Sequence, residues 1–390
     1  MYRSLLLGIA LAIALIFPVA AQEATPAGGP TDGLTVVASG LTNPRGFLWT
    51  ADGSLWVAQA GNGGANEATE EAPTTEAIGP WTGGPSASVV RIEAGCPVLV
   101  AGGLPSSADT IGGVLGAEDV AILGGQLYAS VDGGGAVHGN AAQPSGVYRI
   151  LADGAAELVA DLSAWVRANP VANIPPDFDP DAAGYSLVAD EVTGTFWVVD
   201  PNSGQILQVG LDGSVSRIAD LSEGHPVPTG LAAAPEGGVY VGFLTAAPFP
   251  DNASRVVYVA PDGALTEVWT GLTMVTDVAV GPDGTLYAAE MSTGNLTEPP
   301  FLVPGSGRIV RQRGESAEVV ASGLMFPVSL AFGPDGALYS ASPALGSNQG
   351  EGVIARLDVP EGSVMATPVA MLEAEQAAEC APVAAATPVA

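Results

Sequence analysis

Residues 278–290 read VAVGPDGTLYAAE, and residues 330–342 read LAFGPDGALYSAS. Earlier, 47–59 read FLWTADGSLWVAQ and 231–243 read LAAAPEGGVYVGF. Each phrase sets two short apolar runs around an acidic residue followed by glycine. Asp-Gly between strand-like runs predicts a tight hairpin, because glycine accepts positive φ and aspartate tolerates it. Small or apolar residues occupy both faces of the runs, as in strands covered on both sides. Asp52, Asp283 and Asp335 are accordingly read as turn residues.

Two weaker copies complete the set: VAILGGQLYASV at 120–131 and LVADEVTGTFWVVD at 187–200. The six copies centre on Trp56, Tyr128, Trp197, Tyr240, Tyr287 and Tyr339. A third strand follows each copy, as in SVVRI (88–92), GVYRI (146–150) and GVIARL (352–357). A fourth follows most of them, and four strands every 40 to 50 residues or so is the pattern of a β-propeller. The last repeat lacks its fourth strand. LTVVASGL at 34–41 nearly repeats AEVVASGL at 317–324 and stands ahead of the first hairpin. The expected fold is therefore all-β: a six-bladed β-propeller of four-stranded blades, its ring closed by the N-terminal strand joining the last blade. Closure removes exposed sheet edges.

The propeller is expected to fill residues 34–359 as one domain. Ahead of it, Arg3, an apolar run from Leu5 to Val19 and the small residues Val19-Ala20-Ala21 have the pattern of a secretory signal peptide over 1–21. Residues 22–33 read as a linker, and 360–390 as a low-complexity, disordered tail. The expected location is thus secreted or at the exterior of the cell envelope, with no membrane span in the mature chain. An even cysteine count in an exported chain points to a disulfide, Cys96 with Cys380, fixing the tail to the propeller rim. The formal charge is −30, there is no lysine, and all eleven basic residues are arginine. Such a surface repels phosphate backbones and anionic lipid, which excludes nucleic-acid binding.

In a propeller the loops before the first strand and after the second share one face with the channel mouth. Mapping the repeats gathers Arg45, Gln59, Glu118, Asp119, His138, Asp200, His225, Asp277 and Glu290 there as candidate ligand-binding residues. Insertions at 60–87, 132–145, 163–183, 244–253 and 291–306 fall on the same face. His138 and His225 read either as solvent-exposed loop residues or as ligand contacts. The DGGG and GNGG stretches read as flexible loop backbone, without the strand–loop–helix context of a phosphate cradle. The carboxylates read either as a solvated acidic rim or as hard oxygen ligands for Ca²⁺, with Arg45 as their ion-pair partner or a carboxylate clamp. No nucleophile elbow, zincin motif or clustered His/Cys spacing is present, so no catalytic residue is assigned.

VVASGLTNPRGFLWTADGSLWVAQAGNGG (36–64), GPWTGGPSASVVRIEAG (79–95) and PVLVAGGLPSS (97–107) together resemble the ScyD/ScyE family of exported propellers. That resemblance implies an exported, TolB-like or NHL-like six-bladed propeller and supplies no reaction. Gluconolactonase-like propellers share the architecture, and the nearest match to their calcium ligands is Glu118, Asn202 and Asp277. Quinoprotein sugar dehydrogenases also carry GL-x-x-P-x-G followed by PDG-x-L, but their polyanionic cofactor wants several Lys and Arg side chains. Three readings follow. The first is a non-catalytic, monomeric scaffold binding a small molecule or an envelope protein. The second is a calcium-dependent lactonase. The third is a structural envelope component.

Overall fold

The computed structural model of the protein describes residues 34–73, 79–110, 112–181, 184–345, 349–357 and 380. The signal-peptide and linker assignments, and the tail apart from Cys380, lie outside the described residues. Six antiparallel sheets form the blades of a β-propeller. Their inner strands are Pro44–Trp49, Ala117–Leu123, Ser186–Asp190, Pro228–Ala233, Val275–Val280 and Ser329–Phe332, opening blades 1 to 6 in chain order. Strand Leu34–Leu41 pairs antiparallel with Gly352–Leu357 and becomes the outermost strand of blade 6. The first and last described strands thus complete one sheet, as the matching segments 34–41 and 317–324 predict.

The quoted phrases are the inner hairpins. At 281–285 the amide of Gly284 donates to Gly281 O at 2.9 Å, and Asp283 Oδ1 accepts from Thr285 N at 3.0 Å. Gly284 has φ +81°, the left-handed conformation that a side chain at this turn would oppose. Asp52 and Asp335 bond the amide two residues on in the same way. The apolar side chains bury between blades. Among the described residues the core divides into six clusters, each joining mainly two neighbouring blades. One of them packs Tyr128 of blade 2 edge-on against Phe196 of blade 3, with ring centroids 4.8 Å apart. Every blade therefore needs both neighbours to cover its faces, which is why the ring must close.

Three features depart from the sequence reading. Blade 1 is taller than four strands: Asn66–Glu67 and Val114–Leu115 extend its sheet. A short helix, Leu162–Ala168, opens the insertion between blades 2 and 3, capped by Asp161, whose side chain accepts from Ala164 N. The glycine-rich stretches, expected to be flexible, are packed instead. Gly61, Gly63 and Gly133 to Gly135 are buried. A Cβ on Gly135 would stand 2.2 Å from the Asp181 carboxyl carbon, so glycine is present for close approach rather than mobility. Cys96 and Cys380 form a disulfide with Cα atoms 5.4 Å apart, and the Cys380 sulfur lies against the carbonyls of Ser39 and Gly95. It spans the seam between the closing strand of blade 6 and the outer hairpin of blade 1. No helix among the described residues is long and apolar enough to cross a membrane.

Candidate functional site

The register of the inner hairpins aligns the six blades. Phe47 pairs with Val57, Val120 with Ala129, Leu187 with Val198, Leu231 with Val241, Val278 with Ala288 and Leu330 with Ser340. The residues just before these positions are Gly46, Asp119, Ser186, Gly230, Asp277 and Ser329. Around the channel the ring thus reads Gly-Asp-Ser twice, once in blades 1–3 and once in blades 4–6.

Each member of the triplet has a physical task. Asp119 Oδ2 reaches the next blade, accepting from Leu187 N at 2.8 Å and from Ser186 Oγ at 3.0 Å, while Oδ1 accepts from Val120 N at 2.8 Å. Asp277 repeats this, with Oδ2 accepting from Leu330 N at 2.7 Å and Oδ1 from Val278 N at 2.8 Å. Ser186 Oγ accepts from Leu231 N at 3.3 Å, and Ser329 Oγ donates to Arg45 O at 2.8 Å. The glycines make room for the aspartates. A Cβ on Gly46 would stand 2.0 Å from Asp119 Oδ1, and one on Gly230 would stand 2.4 Å from Asp277 Oδ1.

One position earlier the halves differ. Blades 1–3 place Arg45, Glu118 and Tyr185 there, and blades 4–6 place Thr229, Thr276 and Val328. Arg45 Nε donates to Glu118 Oε2 at 3.0 Å, and its terminal nitrogens donate to Ala344 O at 3.0 Å and Val114 O at 2.6 Å. Glu118 Oε1 accepts from Gly116 N at 2.9 Å. Thr229 and Thr276 join blades without charge, donating to Val275 O at 2.7 Å and Pro327 O at 3.0 Å.

The cavity enclosed by Arg45, Glu118, Asp119, Tyr185, Asp277 and Ser329 measures about 20 Å³, room for about one water. Burial dominates its electrostatics. It raises the Asp119 carboxyl to about 7 against the bonds from Leu187, Val120 and Ser186. It holds Asp277 well above the ordinary aspartate range, with the Asp119 charge adding to the effect. Burial also raises Glu118, and the charge of Arg45 opposes it. Glu118 is therefore buried and Asp119 and Asp277 are half-buried, and all three carboxyls are committed to hydrogen bonds rather than standing as a freely solvated rim.

Of the nine candidates, the structure brings Arg45, Glu118, Asp119 and Asp277 together. Gln59 and Glu290 end second strands and accept from the amides of Thr42 and Thr273 at 2.6 and 2.5 Å. Glu290 also pairs with Arg308. Asp200, buried, accepts from Ser203 N at 3.1 Å and Gln205 Nε2 at 2.8 Å. The two histidines and Asn202 meet elsewhere, on an aspartate triplet in the insertion between blades 2 and 3. His225 Nε2 lies 3.2 Å from Asp177 Oδ1. His138 is fully buried rather than solvent-exposed: Nε2 lies 3.0 Å from Asp179 Oδ2 and Nδ1 lies 2.9 Å from Gly134 O. Both ring partners are acceptors, which calls for the imidazolium. Its pKa is raised: burial alone would lower it, but Asp179 and the charges of Asp132 and Asp181 outweigh that effect. Arg167 Nη2 lies 3.0 Å from Asp181 Oδ2. The sequence mapping missed Asp177, Asp179 and Asp181. Their signal was the alternation in DFDPD at 177–181.

Neither cofactor weighed from the sequence fits these residues. Ca²⁺ takes six to eight oxygen ligands. Glu118 is already held by Arg45 and a backbone amide. Asn202 Oδ1 accepts from Asp179 N at 2.7 Å, away from Glu118 and Asp277. Among the described residues no group of three or more His, Cys, Asp or Glu side chains is placed to hold a metal. A polyanionic quinone would find no lysine, one arginine already committed to Glu118, and space for about one water.

No protein-family model matches the chain, and no curated protein matches it. Solved structures do. An oxidoreductase (glucose dehydrogenase) from Thermus thermophilus superposes with a TM-score of 0.51 at 16% identity, covering 83% of this chain and 99% of that one. The PQQ-bound aldose sugar dehydrogenase of Streptomyces coelicolor gives 0.51 at 15% identity, covering 86% and 100%. A gluconolactonase from Xanthomonas campestris gives 0.49 at 13%, covering 84% and 89%. The two superpositions at 0.51 show the fold alone, and at 15–16% identity nothing about substrate.

Proposed function

We propose that this chain is an exported binding scaffold that takes a small molecule on its loop-rich face, without a reaction at the channel centre. One observation carries the reading. The central carboxyls are spent on bonds between and within blades and on Arg45, around a cavity of about 20 Å³, room for about one water. The first blade's resemblance to ScyD/ScyE propellers and the signal-peptide pattern support export. The rigid, insertion-bearing face supports binding, since loops on a fixed scaffold are where recognition is built.

A second reading, a lactonase-like hydrolase, has one observation in its favour. Asp119, raised to about 7, and Asp277, also raised, have the perturbed acidity expected of general acid–base groups. A panel of lactones and esters, assayed with added Ca²⁺ and again with chelator, separates the two. The scaffold reading expects no turnover above that of Asp277→Asn, no metal by elemental analysis and no calcium-dependent shift in melting. Calcium-dependent turnover abolished by Asp277→Asn and by Glu118→Gln would establish the hydrolase.

A further inference from the structure

Residues 177–181 are pinned on one side and apolar on the other. Asp177, Asp179 and Asp181 meet His225, His138 and Arg167, while Phe178 and Pro180 face away. The segment turns rather than extends, Phe178 N donating to Pro175 O at 3.2 Å, and it still presents the aspartates to one set of neighbours and Phe178 and Pro180 to another. The apolar face forms one wall of a groove of about 320 Å³ that also takes Val166 of the short helix and Ile174. Ile174 at its edge is 56% exposed. At the rim, Arg167 binds Glu70 through both terminal nitrogens, at 3.0 and 3.3 Å. The volume falls within the range of small-molecule sites, roughly 300 to 1,000 Å³.

We propose that this off-axis groove is the binding site of the scaffold, and that its ligand is a small apolar molecule bearing a positive charge. The inference rests on the scaffold reading and locates its site. The walls select an apolar body. The rim selects the charge. Arg167 is matched by two carboxylates, Glu70 and Asp181, so rim and backing together carry net negative charge. The chain around them has a formal charge of −30 and no lysine. An anion entering there would have to displace Glu70 from Arg167, whereas an ammonium can meet the outer side of the Glu70 carboxylate. His138 and Asp179 are positioning residues, holding Phe178 and Pro180 in place.

Three probes sharing a naphthyl group test this: 1-naphthylmethylammonium, 1-naphthalenemethanol and 1-naphthoate, titrated calorimetrically against the full chain at low salt. The expected affinities fall in that order. Ile174→Asp should weaken the neutral alcohol about tenfold through lost apolar contact, with an unchanged melt showing that the fold is intact. Glu70→Gln should narrow the gap between ammonium and carboxylate, because the rim loses its outer charge and Arg167 keeps only Asp181. Glu71→Gln, the same charge change one residue along, should leave the gap unchanged. Equal or tighter binding of naphthoate to the wild type, indifference to Ile174→Asp, or no binding of any probe overturns the groove. Those outcomes without lactone turnover would leave the scaffold reading standing. Lactone turnover with the naphthyl order intact would remove that reading and leave the groove.

Discussion

Blades 1–3 and blades 4–6 solve one problem in two ways. Both halves carry the Gly-Asp-Ser triplet at the channel, and in both the aspartate accepts an amide from the next blade. In the position before it, blades 4–6 join neighbours with the hydroxyls of Thr229 and Thr276. Blades 1–3 use Arg45 and Glu118, a buried ion pair. The second half shows that this one position can join neighbouring blades without charge. Burying a pair of charges is at best weakly stabilising against apolar or neutral replacements. That ion pair is thus an addition in the half that also carries the packed glycine loops, the short helix, the aspartate triplet and the apolar groove. The loops of blades 4 and 5 are simpler, held by Phe249 against Phe301 and by Asp251 accepting from Gly294 N at 2.9 Å.

The comparison breaks most severely at the ion pair. Arg45→Ala leaves Glu118 buried without its cation and should cost about 3–5 kcal/mol in denaturant unfolding. The double replacement Arg45→Met/Glu118→Met should cost much less, because it removes both charges; an equal loss would mean that the pair itself holds blades 1 and 2. Next come the glycines. Gly46→Ala and Gly230→Ala each drive a Cβ into the following aspartate and should each cost about 1–3 kcal/mol. If only one of them destabilises, the two halves are not equivalent at the ring. Thr229→Val and Thr276→Val are the smallest single changes, about 1 kcal/mol apiece, since each removes one hydrogen bond.

Acidity sharpens the contrast. Burial raises Asp119 to about 7 and Asp132 to about 8, and His138 is raised by Asp179 against the effect of burial. A group whose folded pKa lies above its unfolded one contributes stability that is full below the unfolded value and lost as pH rises through the folded value. For Asp119 and Asp132 that window runs from the ordinary 3.8 to about 7 and about 8. For His138 it opens at 6.5 and runs upward. Blades 4–6 contribute chiefly Asp277 and Glu290 to the same trend. The melting temperature should therefore fall from about pH 5 to about pH 8, with hydrogen exchange quickening first in blades 1–3. A uniform loss of protection around the ring would assign the trend to overall charge.

The hairpins and the ring closure were legible in the sequence because both are local or pairwise patterns. PDG turns are set by the φ preference of a few residues, and 34–41 and 317–324 match almost letter by letter. The Gly-Asp-Ser ring was half legible. Asp119 and Asp277 could be placed at the channel by aligning repeats, but the glycine one blade earlier gained meaning only when the structure put its missing Cβ against the aspartate. The histidines were misread because burial of a loop depends on what packs over it. Nothing adjacent to His138 in the chain announces Asp179, forty-one residues on.

The sequence alone therefore determined an all-β ring of six repeats, its closing strand, its lysine-free acidity and the cysteines available to pair. Those follow from periodicity, turn chemistry and composition, which act over a few residues or over the whole chain. Tertiary structure alone decided which acids face a cavity, which face a cation and which merely cap a backbone amide. A carboxylate's role depends on the donors, charges and solvent within a few ångströms, and in a propeller those come from neighbouring blades tens of residues away.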